Sequence, residues 1–115
     1  MTDALIDRAT FEELEHAAGP EFVRELVGTL LVEAPLMLDE LRAALAAGNV
    51  ERFRRAAHSL KSNSLTFGAR LLGATARDLE VRAADVVSAR DTQPVEALAR
   101  EYAAAAAALA DLTRG

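Results

Sequence analysis

The stretch VERFRRAAHSLKSNSLTFGA, residues 50–69, decides the fold. Phe53, Ala56, Ala57 and Leu60 recur three and four residues apart, which lays one apolar stripe along a helix from about Val50 to Leu65. Ser64-Leu65-Thr66-Phe67-Gly68 then reads as a break. Upstream, Gly48 ends the preceding element and Asn49 caps this one.

The same period continues outward. Phe22, Val23, Leu26, Val27, Leu30, Leu31, Leu38, Leu41 and Leu45 form a second stripe that begins at Pro20, a residue suited to a first helical turn. Pro35 falls inside it and predicts a kink or a split, because proline removes one ladder hydrogen bond. Near the start, Thr10 and Glu13 have capping-box spacing, with Phe11 and Leu14 opening a short helix that ends near Gly19. Downstream, Leu72, Thr75, Leu79, Ala83 and Val86 predict a fourth helix. Residues 88–94 read as a loop with Thr92 as cap, and Leu98, Tyr102, Ala105, Leu109 and Leu112 mark a last helix. The expected fold is all-α: one domain over residues 1–115, an antiparallel up-down four-helix bundle crossed by an extra short N-terminal helix.

Composition narrows the function. The chain has 115 residues, 51% of them apolar, a net charge of -5 and no cysteine. An acidic chain lacks the basic face that nucleic-acid binding needs. Without cysteine there is no disulfide, thiolate metal site or cysteine nucleophile. The Ala-rich run from Ala103 to Ala110 is far short of the roughly 20 residues of a membrane span. The acidic N-terminus does not read as a signal peptide. A cytoplasmic protein is expected, and a start at Met1 suits a free-standing one.

Two histidines are present. His16 sits in the last turn of the first helix, where partial charge suits the helix dipole. His58 lies about 140° around the helix from Phe53 and about 160° from Leu60, so it faces away from the core. An exposed histidine is by itself ordinary surface. Its company is not: Lys61, the only lysine of the chain, follows one turn later, and Ala57, Ser59 and Ser62 leave room for an approaching surface. A lysine is a compact neutraliser for a phosphoryl group.

These residues resemble the signature of histidine-containing phosphotransfer (HPt) domains of two-component phosphorelays. The resemblance rests on His58-Ser59-Leu60-Lys61-Ser62-Asn63-Ser64, then Gly68-Ala69, then Leu79-Glu80. It extends over nearly the whole chain and is weakest in the last helix. One position departs: the family usually has glycine where this chain has Ser62. Serine is nearly as small, and the departure is expected to tune partner fit.

The resemblance implies a phosphorelay intermediate. His58 would accept a phosphoryl group from a receiver-domain aspartyl phosphate and pass it to another receiver aspartate. Lys61 would offset charge on the phosphoryl oxygens. Glu80 would hold the far ring nitrogen. Arg54, Arg55, Ser62 and Leu65 are the expected docking residues, with Leu36 or Met37 adding an apolar rim. Leu60, Gly68 and Ala69 would be structural, the last two letting the third and fourth helices pack closely. Partners would be response-regulator receivers and an upstream (hybrid) histidine kinase. The chain is expected to be monomeric, to bind no metal or cofactor of its own, and to have no ATP-dependent kinase activity, since no phosphate loop is present. Mg²⁺ would belong to the receiver. The alternative is a non-catalytic docking or inhibitory module; the dimerising domain of a histidine kinase fits less well, because Ser59 stands where an acid is common.

Overall fold

The computed structural model describes residues 5–114. Among these residues six helices follow one another: α1 (Arg8–Ala18), α2 (Pro20–Ala47), α3 (Val50–Thr66), α4 (Arg70–Val81), α5 (Ala83–Ala89) and α6 (Gln93–Thr113). No strand occurs among the described residues. The chain is an all-α bundle in which α2 packs on α3 and α6, and α4 packs on α3 and α6, so four long helices close a ring. Side-chain pairs fix their sense. Arg42 meets Glu96, the Tyr102 hydroxyl reaches Leu31, and Arg24 reaches Thr113, so α2 descends as α6 ascends. Arg52 on Glu40 and Asn63 on Met37 show the same for α2 and α3. Helix α1 lies against α2 and α3, and α5 against α2, α3 and α4.

The stripes of the sequence become one core. Phe53, Leu41, Leu60, Leu79, Leu98 and Leu109 are its largest fully buried leucines and phenylalanine. Burying each such side chain contributes about 1.5–3 kcal/mol, which holds the amphipathic helices together far more firmly than helix propensity does. Ser64 is the single buried polar residue among those described, and its hydroxyl donates to the Leu60 carbonyl one turn back (2.6 Å).

Four local expectations change. Helix α1 starts at Arg8, with Asp7 ahead of it, and Thr10 sits inside the first turn with its hydroxyl donating to the Asp7 carboxylate (2.7 Å). The start is set from outside the helix, because the Asp7 N–H donates to the Gly68 carbonyl (2.7 Å). Helix α2 runs unbroken through Pro35 over 28 residues. Proline leaves the carbonyl four residues earlier, that of Leu31, without its ladder donor. The Tyr102 hydroxyl of α6 donates to that carbonyl (3.4 Å), so the bundle supplies what the proline removes. The fourth stretch is two helices, separated at Arg82, although Leu72, Leu79, Ala83 and Val86 still share the buried side; Thr75 is half-buried and donates to Glu101 (2.6 Å). Thr92 precedes α6 without capping it, and the Asp91 carboxylate accepts from the Gln93 N–H instead (3.1 Å).

Candidate functional site

The site grows from the seam between α3 and α4. The turn joining them places Gly68 in the left-handed region (φ 82°). Its backbone packs so closely on Asp7 that an added Cβ would lie 2.8 Å from the Asp7 carbonyl oxygen. Further along, Leu65 of α3 lies over Gly73 of α4, where an added Cβ would meet Leu65 Cδ2 at 2.6 Å. This close approach sets the register. Two turns back from Leu65 is His58, and two turns on from Gly73 is Glu80, so antiparallel helices bring the two face to face.

They touch. His58 Nδ1 lies 2.9 Å from Glu80 Oε2, and Lys61 Nζ lies 3.2 Å from Glu80 Oε1. The imidazole is 56% exposed, whereas the Glu80 and Lys61 side chains are each 22% exposed. Burial alone would raise the Glu80 carboxyl, but the hydrogen bond with His58 and the ammonium of Lys61 more than offset it, and its pKa lies below the ordinary carboxylate value. An ionised carboxylate only accepts, so the proton of this contact sits on Nδ1 and Nε2 is the nitrogen left outside it. Glu80 Oε1 is buried, and the Lys61 ammonium is its charge partner.

Lys61 is therefore a half-buried residue seated on Glu80, where the sequence reading left it free to turn to the imidazole's cargo. Gly68 and Ala69 also change role. Both are buried, but Gly68 makes room for the segment entering α1, and Ala69 closes the turn through its N–H to the Ser64 carbonyl (2.9 Å). The glycine that lets α3 and α4 close up is Gly73, which the sequence reading passed over. A glycine inside a helix costs about 1 kcal/mol relative to alanine, and that cost was the available signal for a tight approach.

The remaining residues lie as follows. Leu60 is in the core and Ser62 is exposed on the His58 side of α3. Leu65 is 47% exposed above Gly73. Arg54 pairs with Glu51 within α3. Arg55 is exposed, and its charge adds to that of Arg52 in lowering Glu40 on α2. Leu36 is exposed on α2, whereas Met37 is half-buried against Asn63. His16 is exposed on α1. Among the described residues no group of three or more acidic or histidine side chains is placed to hold a metal ion, and no helix is long and apolar enough to cross a membrane.

A helical bundle that offers an exposed imidazole, its inner nitrogen tied to a carboxylate on the neighbouring helix, defines a class of surface-acting histidine domains. The chain belongs to the Hpt family: a family model described as Hpt domain matches residues 25–111. Membership places it in two-component phosphotransfer, where such domains interact with receiver domains and kinases. No curated protein and no solved structure matches the chain.

Proposed function

We propose that this domain is a phosphorelay intermediate with His58 as its phosphoacceptor. The observation that carries the reading is the hydrogen bond between His58 Nδ1 and Glu80, which leaves Nε2 as the nitrogen available for attack on a ring that is more than half exposed. The Nε2 lone pair attacks the phosphorus of an aspartyl phosphate on a receiver. The phosphorus–oxygen bond breaks and its electron pair returns to the receiver's carboxylate. The ring keeps its Nδ1 proton, becomes cationic on forming the nitrogen–phosphorus bond, and is stabilised in that state by Glu80. Attack by a second receiver's aspartate reverses the sequence and regenerates the neutral imidazole. Neutral histidine is available near neutral pH, which suits both directions.

Ser62, Leu65 and Arg55 are exposed on α3, the helix that carries the ring, and are the proposed docking residues; Arg54 joins them while held by Glu51. Mg²⁺ would be held by the receiver's acidic pocket, and an upstream (hybrid) histidine kinase would charge that receiver. The domain acts as a cytoplasmic monomer in this reading.

The experiment mixes the protein with receiver domains carrying labelled aspartyl phosphate and Mg²⁺. An acid-labile, base-stable label should appear on the wild type and be absent from His58→Gln, whose helix content by circular dichroism should match. A label that survives His58→Gln sinks the proposal. Receiver binding with no transfer of label would mark a docking module instead.

A further inference from the structure

The family resemblance implies that Lys61 offsets charge on the phosphoryl oxygens. The geometry points to a different task for this lysine. We infer that Lys61 is a positioning residue that acts through Glu80, and that by neutralising this carboxylate it keeps the His58 imidazole in its uncharged, nucleophilic form. The inference rests on the assignment of His58 as nucleophile and adds a specific role to a second residue.

Three observations carry it. Lys61 Nζ lies 3.2 Å from Glu80 Oε1, while His58 Nδ1 lies 2.9 Å from Oε2, so one carboxylate bridges both cations-in-waiting. Oε1 is buried, and the ammonium beside it is what compensates it. Lys61 is itself largely covered, 22% exposed, which holds the ammonium at the carboxylate instead of in solvent.

The physical consequence follows from charge. A carboxylate hydrogen-bonded to Nδ1 orients the ring, but it also attracts a second proton to Nε2, and a doubly protonated imidazole cannot attack phosphorus. A lysine on the other oxygen cancels the attraction and keeps the orientation. The other charges near the ring do not substitute for it. On α3, Arg54 is paired with Glu51, and Arg55 is exposed beside it. On α4, Arg77 is exposed one turn before Glu80, and α5 carries Asp85, also exposed. On α2, Glu40 is engaged by Arg52 and Glu33 is exposed. On α1's side, Asp7 pairs with Arg70 at the far end of the seam. Lys61 alone among them sits on the carboxylate that holds the ring.

The test has two arms. In the first, the His58 ring of the whole protein is titrated by nitrogen-15 NMR, with exposed His16 as internal control. Lys61→Met keeps the aliphatic stem and removes the charge, and should move the His58 midpoint upward by about half a unit to one unit. In the Glu80→Gln background the same substitution should move it by less than about a third of a unit. In the second arm the donor is phosphoramidate: Nε2 bonds to phosphorus, the phosphorus–nitrogen bond of the donor breaks, and ammonia leaves with a proton from water. Lys61→Met should be about three- to tenfold slower than wild type below the midpoint and should recover at about pH 9, well above the ordinary imidazole range. A deficit equal at all pH values, with an unmoved His58 midpoint, overturns the inference and returns Lys61 to the phosphoryl oxygens. Should Lys61→Met lose helix content, Lys61→Gln takes its place under the same criteria. The NMR arm needs no phosphotransfer, so failure of His58 as phosphoacceptor is seen separately, as absence of label from the wild type.

Discussion

Gly68→Ala and Gly73→Ala are the same chemical change, and the structure assigns them different outcomes. At Gly68 the backbone is left-handed (φ 82°), which costs a residue with a Cβ about 1–2 kcal/mol. The new Cβ would also lie 2.8 Å from the Asp7 carbonyl oxygen and 3.3 Å from the Asp7 nitrogen. Both are backbone atoms, tied down by the Asp7 N–H to Gly68 carbonyl bond (2.7 Å), so relief means losing that bond at about 1 kcal/mol. The sum is a destabilisation of about 2–3 kcal/mol. At Gly73 the backbone is ordinary helix, and alanine gains about 1 kcal/mol in propensity. Against this, the new Cβ meets Leu65 Cδ2 at 2.6 Å and Cγ at 2.9 Å. Leu65 is already 47% exposed and swings outward, forfeiting burial and rotamer energy of roughly 1–2 kcal/mol. The net is a loss of no more than about 1 kcal/mol. Urea denaturation followed by circular dichroism at 222 nm checks both. Gly68→Ala should lower the midpoint clearly and Gly73→Ala only slightly. Equal losses, or the reverse order, would refute the claim that Gly68 braces the chain backbone while Gly73 yields to a movable side chain. Because Leu65 shares the His58 side of α3, Gly73→Ala should also slow receiver docking more than it weakens the fold.

Other perturbations test separate parts of the molecule. Pro35→Ala restores the donor for the Leu31 carbonyl and should stabilise α2 by about 1–3 kcal/mol in denaturation; Tyr102→Phe should cost up to about 1 kcal/mol in the wild type and less in the Pro35→Ala background, and a cycle without coupling would deny the link between the two. Ser64→Ala should be nearly neutral, since the Leu60 carbonyl keeps its helical partner, whereas Ser64→Leu should cost about 2 kcal/mol or more by overpacking a fully buried site; thermal melts separate them. Glu80 has a folded pKa below its ordinary 4.5, so its interactions stabilise the fold above that pH and the contribution is lost as pH falls through the lower, folded value. The stability difference between wild type and Glu80→Gln, measured by urea titration, should shrink as pH falls below about 4.5; a difference that grows on acidification within that range would reverse the sign of the shift.

What could be read from the sequence follows from which contacts are local. The three-four stripes around Leu60 and Leu98 placed the core helices, because burial of a helix face depends only on spacing along the chain. The outward direction of His58 came from the same wheel. What the sequence hid was long-range. Pro35 spoke for a broken helix because its compensating hydroxyl belongs to Tyr102, far along the chain on α6. The start of α1 was misplaced onto Thr10 because Asp7 is anchored by Gly68. Residues 72–86 read as one helix because the buried stripe is continuous across Arg82, and a stripe does not record a turn that preserves its phase. In the site, spacing put Lys61 one turn from His58 and stopped there. That the ammonium is claimed by Glu80 depends on the α3–α4 distance, and that distance is set by Gly73.

The last point joins fold to chemistry. His58 and Lys61 share a helix and would be neighbours in any peptide, but a peptide would have neither an oriented ring nor a balanced charge. Both come from Glu80, which reaches them only because two turns away a leucine of α3 rests on a glycine of α4. Register is transmitted along rigid helices, so a side chain at position 73 too large for Leu65 to yield to would be felt at Nδ1 even though neither residue touches the ring. The domain therefore separates two demands that a reactive histidine usually sets against each other. The ring is more than half exposed, as the proposed transfer between proteins would require, while the groups that would govern its reactivity are covered: Glu80 and Lys61 lie half-buried in the seam.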